Sequence, residues 1–178
     1  TFAMKSTNQS DLCLNAVAAM KFKSESEVDA IEDTSDAPIV MFDCEVFPNL
    51  FIISWMRHGD SQVHRMINPT PAEVEELTKF KLIGFNNRKY DNHILYGRML
   101  GYSNQKLYEL SKKLISGNRG EGTFREAYNL SYADVYDYMA KKTTLKKLEV
   151  SLGIVHMELG LDWDQPVPEE LWEKVADY

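Results

Sequence analysis

The stretch that most limits what this chain can fold into spans residues 39–49. Four apolar residues, Ile39-Val40-Met41-Phe42, lead into Asp43-Cys44-Glu45. A Pro48-Asn49 turn follows, and then a second apolar run over residues 50–56. Side chains alternate faces along a strand, so Asp43 and Glu45 point to one side and Cys44 to the other. Two carboxylates side by side at the end of a hydrophobic strand repel each other and lose hydration, and a divalent cation offsets both costs. The short turn makes the second strand an antiparallel neighbour of the first.

The rest of the pattern fits around that pair. Residues 62–67 alternate polar and apolar, as an edge strand does. Thr70 reads as a helix cap, with Pro71 in the first turn and acids at the positive end of the helix dipole. A fourth strand is expected over 81–86, a loop over 87–91, and a helix over 92–100 ended by Gly101. An amphipathic helix over 105–115, a glycine-rich loop over 116–122 and a fifth strand within 132–138 come next. A helix capped by Thr143 or Thr144 and closed by Gly153 precedes a last helix over 168–178. The order implies an α/β fold: a three-strand antiparallel meander extended by parallel strands through helical crossovers, flanked by helices. Strand four then lies beside strand one and brings Asp91, at a loop-to-helix junction, toward Asp43. Taken alone, Asp91 is equally an ordinary helix cap.

Composition narrows the function classes. Of 178 residues 44% are hydrophobic and 26% charged, which suits a globular chain rather than a disordered one. A formal net charge of -7 argues against a free-standing binder that grips nucleic-acid backbone non-specifically. It leaves room for an enzyme that meets a nucleic-acid end through bound cations. No apolar run approaches the roughly 20 residues of a spanning helix, and no leader opens the chain. With Cys13 and Cys44 forming no disulfide framework, a reducing cytoplasm and no membrane partner are expected. Residues 1–37 read as an extension, with a short helix over 11–20 and an acidic, serine-rich linker over 23–36. The folded domain is expected over 38–178. His58, His64, His93 and His156 lack ligand spacing. Trp163 and Trp172 read as packing anchors. Lys141, Lys142, Lys146 and Lys147 read as a solvated face.

Together these stretches resemble the DEDD-type (DEDDy) 3′–5′ exonucleases of the ribonuclease-H-like fold, above all the proofreading domains of bacteriophage and bacterial DNA polymerases. Phe42-Asp43-Cys44-Glu45 is similar to the family's first motif, Asp-x-Glu. Gly84-Phe85-Asn86-Asn87-Arg88-Lys89-Tyr90-Asp91 is similar to its second, Asn-x-x-Tyr-Asp. Ala176-Asp177-Tyr178 is similar to the start of its third, Tyr-x-x-x-Asp. The resemblance implies two Mg²⁺ or Mn²⁺ ions held by Asp43, Glu45 and Asp91, with Glu45 also orienting the attacking water and Tyr178 hydrogen-bonding it. It also implies contacts to nucleic acid from Asn87, Arg88 and Lys89, the 3′ end of single-stranded DNA as substrate, and a polymerase domain as partner. The third motif's aspartate falls four positions beyond Tyr178, so the chain as it stands is expected to be inactive or nearly so. A free-standing DNA or RNA trimming exonuclease, or an inert scaffold domain, would carry the same first two motifs.

Overall fold

Alternation sets the first strand. In β1 (Ile39–Val46), Val40, Phe42, Cys44 and Val46 are buried while Asp43 between them is exposed. The computed structural model describes residues 36–117, 123–154 and 160–177. Tyr178, His156, Cys13, the loop residues 118–122 and the expected N-terminal helix and linker lie outside the described residues.

β1 turns through Pro48-Asn49 into β2 (Phe51–Arg57), and β2 into β3 (His64–Ile67), both pairings antiparallel. α1 (Pro71–Leu77) then crosses to β4 (Lys81–Gly84), which pairs parallel with β1. α1 starts where the sequence signals it. Thr70 and Glu73 form a reciprocal capping box, and Pro71 occupies the first turn. α2 (Asp91–Met99) and α3 (Asn104–Ile115) follow, then β5 (Ala133–Asp134), parallel to β4. The result is a five-strand mixed sheet in the order β3-β2-β1-β4-β5. α2 ends in a Schellman motif: Tyr102 N–H donates to the Gly97 carbonyl and Gly101 N–H to that of Arg98, with Gly101 at φ +82°.

β2 shows how the sheet is covered. Phe51 and Ile53 pack with Val40, Phe42, Leu82, Val74, Leu77, Ile94, Leu95, Leu107 and Leu110, so α1, α2 and α3 cover one face. Ile52, one residue out of phase, packs instead with Phe47, Leu50, Val167, Val175 and Ala176. That second cluster includes α5 (Trp172–Asp177), which is joined to β3 by Arg65: its Nε donates to the Ala176 carbonyl and pairs with Asp177 at 3.3 Å.

Several elements are shorter than expected: β3 starts only at His64, β4 stops at Gly84, and two later ones change more. β5 is two residues long, because the Asp134 side chain accepts the Tyr136 N–H and turns residues 135–138 into a 3₁₀ helix. The last helix begins at Trp172, after a separate 3₁₀ turn at Glu169–Leu171. A second compact unit contains Ala140–His156 and not the sheet. Its described part holds α4 (Leu145–Ser151), N-capped by Thr144, whose hydroxyl accepts the Lys147 N–H.

Gly84 ends β4 for a steric reason. A Cβ there would lie 2.9 Å from Asn87 Cβ and 3.2 Å from Phe42 Cε1. Gly84→Ala must displace the Asn87 turn, and a loss of roughly 1–3 kcal/mol, read as a lower urea midpoint, is the expected outcome.

Candidate active site

β1 outruns its neighbour. β4 pairs with it only as far as Met41, so beyond that point one edge of β1 has no strand partner among the described residues. The first residue of α2 takes over: Cys44 N–H donates to Asp91 Oδ1 at 3.1 Å. One carboxylate thus replaces a strand and is fixed beside the Asp43–Glu45 pair, as expected from strand four lying beside strand one.

Burial and mutual repulsion set the electrostatics of these carboxylates. Asp91 is 4% exposed, and burial, then the charge of Asp43, push its carboxyl well above the ordinary range. Hydrogen bonds from backbone N–H groups pull the other way without reversing the shift. Burial and the neighbouring Asp43 push Glu45 up to about 8. Cys44, buried on the opposite side of β1, has its thiol pushed up by burial and then by Asp91, which makes it an inert core residue rather than a nucleophile.

Asp43, Glu45 and Asp91 therefore form one charge-coupled group with oxygen donors only. That donor set suits a hard cation such as Mg²⁺ or Mn²⁺ and lacks the thiolate and imidazole ligands typical of structural zinc sites. Among the described residues, no three His, Cys, Asp or Glu side chains already converge in a ligand cluster. Asp91 Oδ1 already accepts the Cys44 N–H.

The loop before Asp91 is held by a residue the motifs do not mark. Asp134, 1% exposed, accepts from Asn86 N–H (2.7 Å), Arg88 N–H (3.0 Å) and Tyr136 N–H (2.9 Å). Asn86 sits in the left-handed region at φ +59°, so the chain folds back over that carboxylate. The sequence signal was a strand-borne aspartate two residues before a tyrosine, which by itself looks like any half-buried strand end.

The three residues expected to meet nucleic acid differ in placement. Asn87 is fully buried, its amide enclosed by the Asp134 carboxylate, the Gly84 carbonyl and the Ser131 hydroxyl. It shapes the loop from inside and does not reach the surface. Arg88 pairs with Asp137 at 2.6 Å and lies over the Tyr128 ring. Lys89 is exposed, with its ammonium 5.0 Å from the centre of the Tyr136 ring. His93 is a satisfied core histidine: its Nδ1 accepts the Phe124 N–H, and burial lowers its pKa.

A pocket of about 330 Å³ opens beside Glu45. Tyr90 lines it, its hydroxyl bonded to Ser111 at 2.7 Å. Tyr108 lines it too, donating to Asp164 at 2.6 Å. These pairs join residues 21 and 56 positions apart, a separation that no local sequence pattern exposes. Trp172 is the packing anchor expected, with its indole N–H on the Val167 carbonyl. Trp163 is not: 47% of it is exposed, at the pocket wall. Comparison with protein-family models, with curated proteins and with solved structures finds no match to this chain.

Proposed function

We propose that this chain is a ribonuclease-H-like domain with metal-dependent 3′–5′ exonuclease chemistry, acting on the 3′ end of single-stranded DNA as the proofreading part of a phage-type DNA polymerase. The observation that carries this reading is the placing of the Asp91 carboxylate, from the start of α2, against β1 beside Asp43 and Glu45, at the end of β1 that β4 leaves uncovered. The mixed sheet, an antiparallel meander continued by parallel strands, supports it.

In this reading Asp43, Glu45 and Asp91 hold two Mg²⁺ or Mn²⁺ ions. When bound, such ions supply a more acidic water and positive charge against the developing charge on phosphorus and the leaving oxygen. Glu45 orients the attacking water from beside the pocket. Asp91 keeps the start of α2 on β1 through Cys44 N–H, so that the three carboxylates hold their spacing. Lys89 is the cation placed to meet the incoming strand, while Arg88 stiffens the loop through Asp137. Tyr178, as the resemblance implies, hydrogen-bonds the attacking water.

The second reading, an inert scaffold domain, is favoured by one contact, the use of Asp91 Oδ1 as a main-chain acceptor. Thermal unfolding separates the two. With Mn²⁺ at a hundredfold excess over its Kd, the exonuclease reading expects about 2.7 kcal/mol of added stability. Asp43→Ala should abolish that response. A wild-type protein indifferent to Mn²⁺ would leave the scaffold reading standing.

A further inference from the structure

The turn of β1 into β2 holds a distant loop against the pocket. Asn49 Nδ2 donates to the Val167 carbonyl and Asn49 Oδ1 accepts the Val167 N–H, both at 2.8 Å. Within that loop, Asp164 N–H donates to Asp162 Oδ1, and Gln165 N–H to the Asp162 carbonyl. The loop therefore sets Trp163 in place instead of letting it wander. Its indole lies parallel to the buried Phe47 ring, with centroids 4.7 Å apart and a 12° interplanar angle. Half-exposed, it is a large flat apolar surface kept in water, at a cost that burial elsewhere would avoid.

Its setting gives that surface a use. The pocket it walls has Glu45 at one side, Asp164 held by the Tyr108 hydroxyl at another, the Tyr108 ring and Ile115 as further apolar lining, and Lys112 as its cation. Ile115 is 74% exposed, so a second apolar side chain stands unburied at the same opening. A volume near 330 Å³ is at the low end of ligand pockets, the scale of one small molecule rather than a peptide or a duplex. An aromatic wall, one cation and an adjacent acidic group that suits divalent cations together match one ligand chemistry. It has a flat π-face, a negative phosphate for Lys112, and oxygens to share a cation with the carboxylates.

We propose that this pocket seats the terminal nucleotide of a single strand, with its base stacked on the outer face of Trp163 and its phosphate toward Glu45 and Lys112. The proposal rests on the exonuclease reading for the identity of that nucleotide as a 3′ end. Trp163 then acts on the base and not on the bond to be cut. It favours any base over none, without reading sequence, because every base has a π-face.

The test is calorimetric binding of dAMP and of 2-deoxyribose 5-phosphate, which lacks the base, in Mg²⁺ and again in EDTA. Neither ligand has a phosphodiester bond, so nothing turns over. The wild type should bind dAMP at least about tenfold more tightly than the abasic ligand. Trp163→Ala should bind both at the abasic level, and Trp163→Phe should recover most of the preference. AMP in place of dAMP shows by the tighter ligand whether an RNA or a DNA end is preferred. A wild type without base preference, or Trp163→Ala with its preference intact, overturns the proposal. A base preference that depends on Trp163, together with no Mn²⁺ stabilisation of the wild type, would retain the nucleotide pocket and remove the exonuclease reading.

Discussion

Asp91→Asn is expected to make the metal-free protein more stable and metal-blind at once. Asparagine keeps an oxygen for the Cys44 N–H but removes a buried charge that Asp43 and Glu45 oppose. The gain should be about 1–2 kcal/mol, or roughly 2–8 °C in Tm for a chain of this size. It should depend on pH. Glu45 and Asp91 have folded-state pKa values raised above their ordinary ones, Glu45 to about 8. Groups of that kind contribute stability that is fully present below the unfolded pKa and is lost as pH rises through the folded value. The wild type should therefore melt higher at pH 5 than at pH 8.5 without metal. The advantage of Asp91→Asn should be large at pH 8.5 and shrink toward pH 5, where Glu45 is protonated and no longer opposes Asp91. Mn²⁺ should stabilise the wild type at pH 8.5 and leave the variant unmoved. Scanning calorimetry at the two pH values, with and without Mn²⁺, checks each part. A variant less stable than the wild type at pH 8.5 would show that the repulsion is not there.

Asp134→Ala should be the most damaging single substitution in the loop. It leaves the Asn86, Arg88 and Tyr136 N–H groups without their acceptor at a site where water has little access. Unsatisfied buried donors cost about 1–3 kcal/mol each, and relaxation of the loop recovers part of that. A net loss of about 3 kcal/mol is expected, read as a drop of roughly 6–12 °C in Tm. Asp134→Asn keeps one acceptor oxygen and should lose less than half as much. Hydrogen exchange of the Asn86 and Arg88 amides should quicken in Asp134→Ala well before global unfolding. If both amides stay protected, the carboxylate does not hold the turn.

What could be read from the sequence was what local chemistry dictates. Alternation around Asp43 and Glu45 gave strand one, the Pro48-Asn49 turn gave its antiparallel partner, and Thr70-Pro71 gave the start of α1. Placing strand four beside strand one was enough to bring Asp91 to β1. The errors came where a side chain outvoted the backbone pattern. Residues 132–138 look like a strand until Asp134 captures the Tyr136 N–H. Asn87 carries a polar amide that looks available for a ligand, yet Asp134 and Ser131 enclose it. Trp163 looks like core by composition, yet it stands half in water on a loop that Asn49, far away in the chain, helps to tie down. No window of local sequence contains those partners together.

That clamp also sets an order of events during synthesis. Asn49 meets Val167 across 118 positions, and Arg65 meets Ala176 across 111. At ribosomal speeds of about 5–20 residues per second, the second apolar face of the sheet waits roughly 6–24 s for its cover. During that interval Phe47, Leu50 and Ile52 lie open on the nascent chain, where a chaperone or a neighbouring ribosome's product could find them. Folding on the ribosome should thus be slowest to finish at the loop that carries Trp163, and a pause or truncation before residue 167 should leave a complete sheet with one apolar face bare and prone to aggregate.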